Sequence, residues 1–292
     1  MPKFAPKQIL CPVDMSPAST AVLSWARLMA DAFGSRVEIL HADWSEPPRY
    51  FTESQLGALD SEEQRERQMF ERDLRDIGQK VLGPQISFTV SVVEGHAVDV
   101  ILDRLRNTPP DLVVMGSHGR SGVTRLLLGS VAENVVHEAH CPVLIVRGPE
   151  ISIDQRLQRV LCPVNLTETA RECAEVASGV AAGLEAELSV LQALENGVPE
   201  GGARRQLCGW VPETVRTHCR LSEVVLKGDA AEQIILFARQ ERVDLIVLGA
   251  EHRSFLEFST LGRTTERVLR HGPSSVLLVP HQMTGKANGA GK

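Results

Sequence analysis

Gly116, Gly119, Gly129 and Ser130 stand in the order Gly-x2-Gly-x9-Gly-Ser, directly behind the apolar run Asp111-Leu-Val-Val-Met115. Glycines let a backbone turn tightly and come close to a ligand. A Gly-Ser pair ahead of a segment of helical composition, here Val131 to Ala139, sets unpaired N–H groups and a partial positive charge where an anion such as phosphate can sit. Pro142 stops that segment, and Val143–Val146 is a second apolar run. His118 and Arg120 lie in the loop as phosphate neighbours, Arg120 the stronger because it stays charged. The competing reading of Arg120 and Arg125 is a solvated loop charge. Asp14 follows another apolar run, Ile9–Val13. An acidic side chain there suits an amine edge rather than a phosphate.

Other chemistry is weaker. There is no GxxxxGK[ST] phosphate loop, and no carboxylate stands next to the glycine loop to hold Mg²⁺ or orient a water; the nearest are Glu133 and Asp14. No dedicated catalysis is indicated. His137, His140 and Cys141 lie close together without an evident fourth ligand, so no metal site is assigned. The six cysteines form no CxxC pair and read as reduced, mostly buried thiols of a cytoplasmic protein.

The elements that must position the loop follow from the patterning. Apolar runs without polar alternation are strands buried on both faces. In order these are 9–13, 37–42, 86–93, 111–115 and 143–146. Between them lie helices: one to about Phe33, closed by Gly34; one over 60–82 with the stripe Phe70, Leu74, Ile77, Val81; and one over 97–106 after Gly95. Ser16 is expected as N-cap of the first helix and Pro17 as its first residue. Residues 43–59 read as loop. Alternating strands and helices imply a parallel, doubly wound α/β sheet whose ligand sits beyond the C-terminal strand ends.

The pattern occurs twice. Gln8–Asp14 returns as Arg159-Val-Leu-Cys-Pro-Val-Asn165, 151 residues on. Asp111–Gly116 returns as Asp244-Leu-Ile-Val-Leu-Gly249 and Pro142–Val146 as Ser275–Val279, each 133 residues on. The second copy is therefore shorter between its second and third strands, where 195–219 reads as a short Gly-rich region. The expected organisation is a first domain over 1–147, a linker over 148–157, a second domain over 158–280 and a disordered tail over 281–292. Each domain carries a five-stranded, mainly parallel sheet with helices on both faces.

With the glycine pattern behind the fourth strand, Asp14 behind the first and Gly95 behind the third, the chain resembles a tandem universal stress protein, the signature of the ATP-binding branch intact in the first copy. The resemblance implies that Asp14 accepts a hydrogen bond from adenine, while Val13 and Ala42, with neighbouring Pro12, line the base pocket. Met115 and Gly116 would lie under the ribose. Gly119, Arg120, Gly129, Ser130 and Val131, beside His118, would hold phosphates. The implied cofactor is ATP, with any Mg²⁺ held mainly by its phosphates, and the implied role is regulatory, in a stress response. A slow ATPase or nucleotidyl-transfer enzyme, and a module for AMP or FAD, are the alternatives. In the second copy His252 replaces the second glycine, Arg263 the serine and Asn165 the aspartate. That copy is expected not to bind ATP in the usual way and to serve as a structural or regulatory partner. In this family the last strand often pairs domains, so Val143–Val146 and Val276–Val279 are expected to join the repeats; a homodimer and an unidentified regulatory protein partner are also allowed.

A net charge of −6 speaks against a nucleic-acid partner. No apolar run approaches the roughly 20 residues that span a membrane, and the N-terminus shows no signal peptide.

Overall fold

Alternate residues of each strand enter two different core layers, as the two-residue period of a pleated strand requires. Leu112 and Val114 join one layer with Ile9 and Cys11; Val113 and Met115 join the other with Leu10. Both faces of these strands are therefore covered by helices, which is why their sequences are apolar throughout.

The computed structural model describes residues 4–44, 53–118, 128–152, 155–194, 201–250, 253–255 and 258–280. The first half runs β1 (Gln8–Pro12), α1 (Ala18–Phe33), β2 (Arg36–Asp43), α2 (Glu53–Leu82), β3 (Phe88–Glu94), α3 (Ala97–Asn107), β4 (Leu112–Gly116), α4 (Ser130–Glu138) and β5 (Val143–Val146). The second runs β6 (Arg159–Val164), α5 (Glu168–Gly183), β7 (Glu187–Leu194), α6 (Ala203–Trp210), α7 (Glu213–His218), β8 (Arg220–Lys227), α8 (Ala230–Gln240) and β9 (Leu245–Ala250). It ends with a hairpin of β10 (Arg253–Phe255) and β11 (Phe258–Thr260), then α9 (Arg263–His271) and β12 (Ser275–Pro280).

Ten strands make one sheet in the order β3-β2-β1-β4-β5-β12-β9-β6-β7-β8. Five come from each half, and all neighbours are parallel except β5 and β12, which pair antiparallel with Leu144 opposite Leu277. Both halves use the same staple. The Asp111 carboxylate accepts from the backbone N–H groups of Lys7 and Gln8 at 2.8 and 3.0 Å. The Asp244 carboxylate accepts from those of Gln158 and Arg159 at 2.7 and 3.0 Å. Each aspartate precedes the fourth strand of its half and so ties it to the start of the first.

Beyond the ladder, Arg147 reaches from the end of β5 to the C-terminal end of α9. Its guanidinium donates to the carbonyls of Arg270 and Gly272 at 3.4 and 3.2 Å, where a cation meets the negative end of the helix. Burial pulls the Arg147 pKa down from its usual value. The Ser275 hydroxyl accepts from the Arg147 N–H at 3.0 Å and donates to its carbonyl at 3.3 Å. A side chain added at Gly183 of α5 would meet the Phe33 ring of α1 at 2.5 Å, so the glycine admits that ring.

Three expectations are corrected. Residues 43–59 are not all loop: α2 already begins at Glu53. Residues 195–219 contain the two helices α6 and α7, anchored by buried Leu207 and Val215. Ser16 does not cap α1. The helix starts at Ala18, and Asp14 Oδ1 instead accepts from the Ser16 backbone N–H at 3.0 Å and the Ser19 hydroxyl at 3.4 Å, so the acid shapes its own turn. The tail over 281–292 lies outside the described residues.

Candidate functional site

The sheet order reverses direction between β1 and β4, since β2 and β3 lie on one side and β5 on the other. A crevice must open where the chains leaving these two strands diverge. A cavity of about 490 Å³ lies there. Pro12, Val13 and Asp14 enter from the end of β1, Ala42 from β2, Met115, Gly116 and His118 from β4, and Gly129, Ser130 and Val131 from the start of α4. The structure thus brings ten of the twelve expected residues to one cavity. The remaining two, Gly119 and Arg120, lie outside the described residues.

Local hydrogen bonds fix the walls. His41 Nδ1 lies 2.8 Å from the Val13 carbonyl, and the Val13 N–H donates to the Leu40 carbonyl at 2.9 Å. These contacts pin the turn after β1 against β2. The Gly129 N–H donates to the Ser117 carbonyl at 2.8 Å, closing the gap between the residues after β4 and the start of α4. The approach is close: a Cβ at Gly129 would lie 3.3 Å from the Ser117 oxygen, and one at Gly116 3.2 Å from the His118 oxygen. Either would push on backbone, which cannot yield as a flexible side chain can.

The α4 N-terminus has no side-chain cap, because Gly129 occupies the capping position. The first intrahelical donor is the N–H of Glu133, bonded to the Gly129 carbonyl at 2.9 Å. The earlier N–H groups, on residues that line the cavity, are left to a ligand or water. His118 adds a second polar group. Its Nδ1 lies 2.9 Å from the Ser117 hydroxyl, while its buried Nε2 has no hydrogen-bond partner among the described residues. If the Ser117 hydroxyl donates, Nε2 carries the proton and faces the cavity as a donor. The Ser16 hydroxyl is also buried without a partner. Buried polar atoms in this condition fit a site that receives a polar ligand.

The cysteines supply no nucleophile here. Burial, and then the charge of Glu38, push the Cys11 thiol above its usual range. The Cys162 thiol is raised by its contact with Cys173 and by burial. Among the described residues no three His, Cys, Asp or Glu side chains are placed to share a metal ion, and no helix is long and apolar enough to cross a membrane.

Asp43, Trp44, Phe70, Ile101 and Ser117 also line the cavity and were not expected. Ser117 was accessible to inspection, since it sits inside the glycine pattern; the others come from elements whose facing depends on packing.

A model of the universal stress protein family matches residues 6–147 and 212–280. The chain belongs to the universal stress protein family. One relative, a universal stress protein of Mycobacterium tuberculosis, is 23% identical over 300 residues and aligns over 94% of this chain and 97% of its own length. A single-length relative from Thermus aquaticus is 33% identical over 147 residues, covering 48% of this chain and 98% of its own. A Methanocaldococcus jannaschii universal stress protein is 42% identical over 65 residues, which are 22% of this chain and 38% of that protein. The crystal structure of a universal stress protein from Archaeoglobus fulgidus superposes with a TM-score of 0.73 at 20% identity, over 94% of this chain and 98% of that one, which shows a shared fold. With the repeat seen in the sequence, these matches support a tandem universal stress protein.

Proposed function

We propose that the cavity of the N-terminal half binds an adenine nucleotide, ATP foremost, and that the protein acts as a nucleotide-responsive regulator in a stress response. One observation carries the reading: the acid after β1, Ser117 and His118 after β4 and the uncapped start of α4 line the same cavity. Asp14, Val13 and Ala42 come to the cavity from the ends of β1 and β2, and Ser130, Val131 and His118 from the start of α4 and the end of β4. An acid that suits an amine edge and N–H donors that suit an anion are the two kinds of group a nucleotide calls for. Gly119 and Arg120 complete the phosphate end in this reading. Any Mg²⁺ would be held mainly by the phosphates.

Residues 1–147 then form the nucleotide-binding unit and 158–280 its built-in partner. In the second half Arg263 stands at the position of Ser130, and Asn165 at that of Asp14. The Asn165 side chain accepts from the Thr167 backbone N–H at 3.4 Å and its hydroxyl at 2.7 Å. Calorimetric titration of the full chain with ATP and GTP tests the reading. One ATP per chain and weaker GTP are expected, with Asp14→Ala removing the preference for ATP. Absence of adenine-nucleotide binding, or two equivalent sites, would overturn it.

A further inference from the structure

Trp44 follows β2 directly and lines the cavity two residues beyond Ala42. Its indole stacks on the ring of His96, with centroids 3.8 Å apart and planes 28° from parallel. His96 is the residue that precedes α3, so the pair joins the ends of two elements at the rim. Although one face is covered in this way, Trp44 stays 49% exposed. Trp44 thus presents a partly open aromatic surface at the lip of the cavity.

The second half carries other residues at both positions. In the sequence, position 44 corresponds to Glu195, 151 residues on. The position of His96 is taken by Asp229, which caps α8 by accepting from the Glu232 N–H at 3.0 Å. Among the described residues His96 provides no such side-chain cap to α3. The first half, which keeps the glycine pattern, thus holds an aromatic pair where the second half has an ordinary helix cap.

We infer that Trp44, positioned by His96, is the stacking surface for the nucleobase and a specificity-determining residue of the cavity. The inference rests on the nucleotide reading of this site. Its chemistry differs from that of Asp14. Stacking accepts any flat heteroaromatic ring, with larger purines favoured over pyrimidines, whereas the acid distinguishes base edges. Together they would select first for a purine and then for adenine.

The experiment is titration of ATP, GTP and CTP into the full chain and its Trp44→Ala and Trp44→Phe variants, with indole emission recorded in parallel and thermal melting as a check on folding. Trp44→Ala is expected to weaken ATP and GTP alike by about tenfold, within the range found for removing one base–aromatic stack, and CTP by less. Trp44→Phe should restore most of the affinity while losing the ATP-dependent emission change, since the remaining Trp25 and Trp210 do not line the cavity. Unchanged ATP affinity in a folded Trp44→Ala variant would overturn the inference while the nucleotide reading stood. If the wild type binds no nucleotide, both are overturned.

Discussion

The two halves share a scaffold and differ at the same end of it. Both present five strands in the order 3-2-1-4-5, both staple the first strand with an aspartate before the fourth, and both start the last helix after an uncapped glycine. The differences gather beyond the C-terminal strand ends. Ser117 and His118 correspond to Ala250 and Glu251, His96 to Asp229, and Ala132 to Thr265. Thr265 is buried, and its hydroxyl lies 3.4 Å from the carbonyl of Gly249. The comparison teaches that the strand interiors are kept alike, while the strand ends and helix starts around the crevice diverge even where they are buried.

The largest effects should therefore be symmetric. Leu112 and Leu245 occupy equivalent, fully buried positions at the starts of β4 and β9. Leu112→Ala and Leu245→Ala should each cost about 2–5 kcal/mol of unfolding free energy, from lost transfer energy and the cavity left behind. Equilibrium denaturation checks this, and a cost confined to one half would break the equivalence of the scaffolds.

Next come effects that should be unequal. Gly129→Val drives a side chain toward the Ser117 carbonyl, whereas a Cβ at Gly262 meets no atom of the described residues within 4 Å. The first substitution should weaken ATP binding by about a hundredfold, the loss expected when charge-assisted hydrogen bonds to phosphate are disturbed. Gly262→Val should leave that affinity as it was. Calorimetry on both variants sharpens the contrast, and equal losses would contradict the location of the site.

The smallest effect concerns acid. The Asp229 carboxyl is held below the usual carboxylate range by the Glu232 backbone N–H, and secondarily by Arg267, which lies 2.7 Å away. A depressed folded-state pKa stabilises the fold above the ordinary carboxylate value, and that contribution fades as pH falls through the folded value. Because the group is exposed, the gain is at most about 1 kcal/mol. Asp229→Asn should lower stability slightly at pH 7 and leave little difference from wild type near pH 2, as followed by thermal melts across that range.

Much of the scaffold was legible because burial writes itself into composition. Strands such as 112–116 and 143–146 could hardly be anything else once both faces are covered. Helices α6 and α7 were not legible. They span 8 and 6 residues, stand among Gly201, Gly202 and Pro212, and are too short to show a periodic stripe. The start of α2 was hidden for a related reason, since residues 53–59 include Gly57 and precede the apolar stripe that marks the helix. At the site, spacing exposed the glycines and Asp14, whose roles depend on local backbone. Trp44 stayed hidden because its partner His96 is remote in sequence and the two meet only where the end of β2 lies beside the start of α3.

The β5–β12 ladder has a consequence for stoichiometry. Strands that pair within one polypeptide do not come apart on dilution as two subunits do, because the chain that links them keeps their effective concentration high at any protein level. A noncovalent pair of diverged subunits would sort into like and unlike assemblies according to abundance. Here translation itself fixes the ratio, so every molecule carries one intact glycine loop and one altered loop, in constant proportion however scarce the protein becomes.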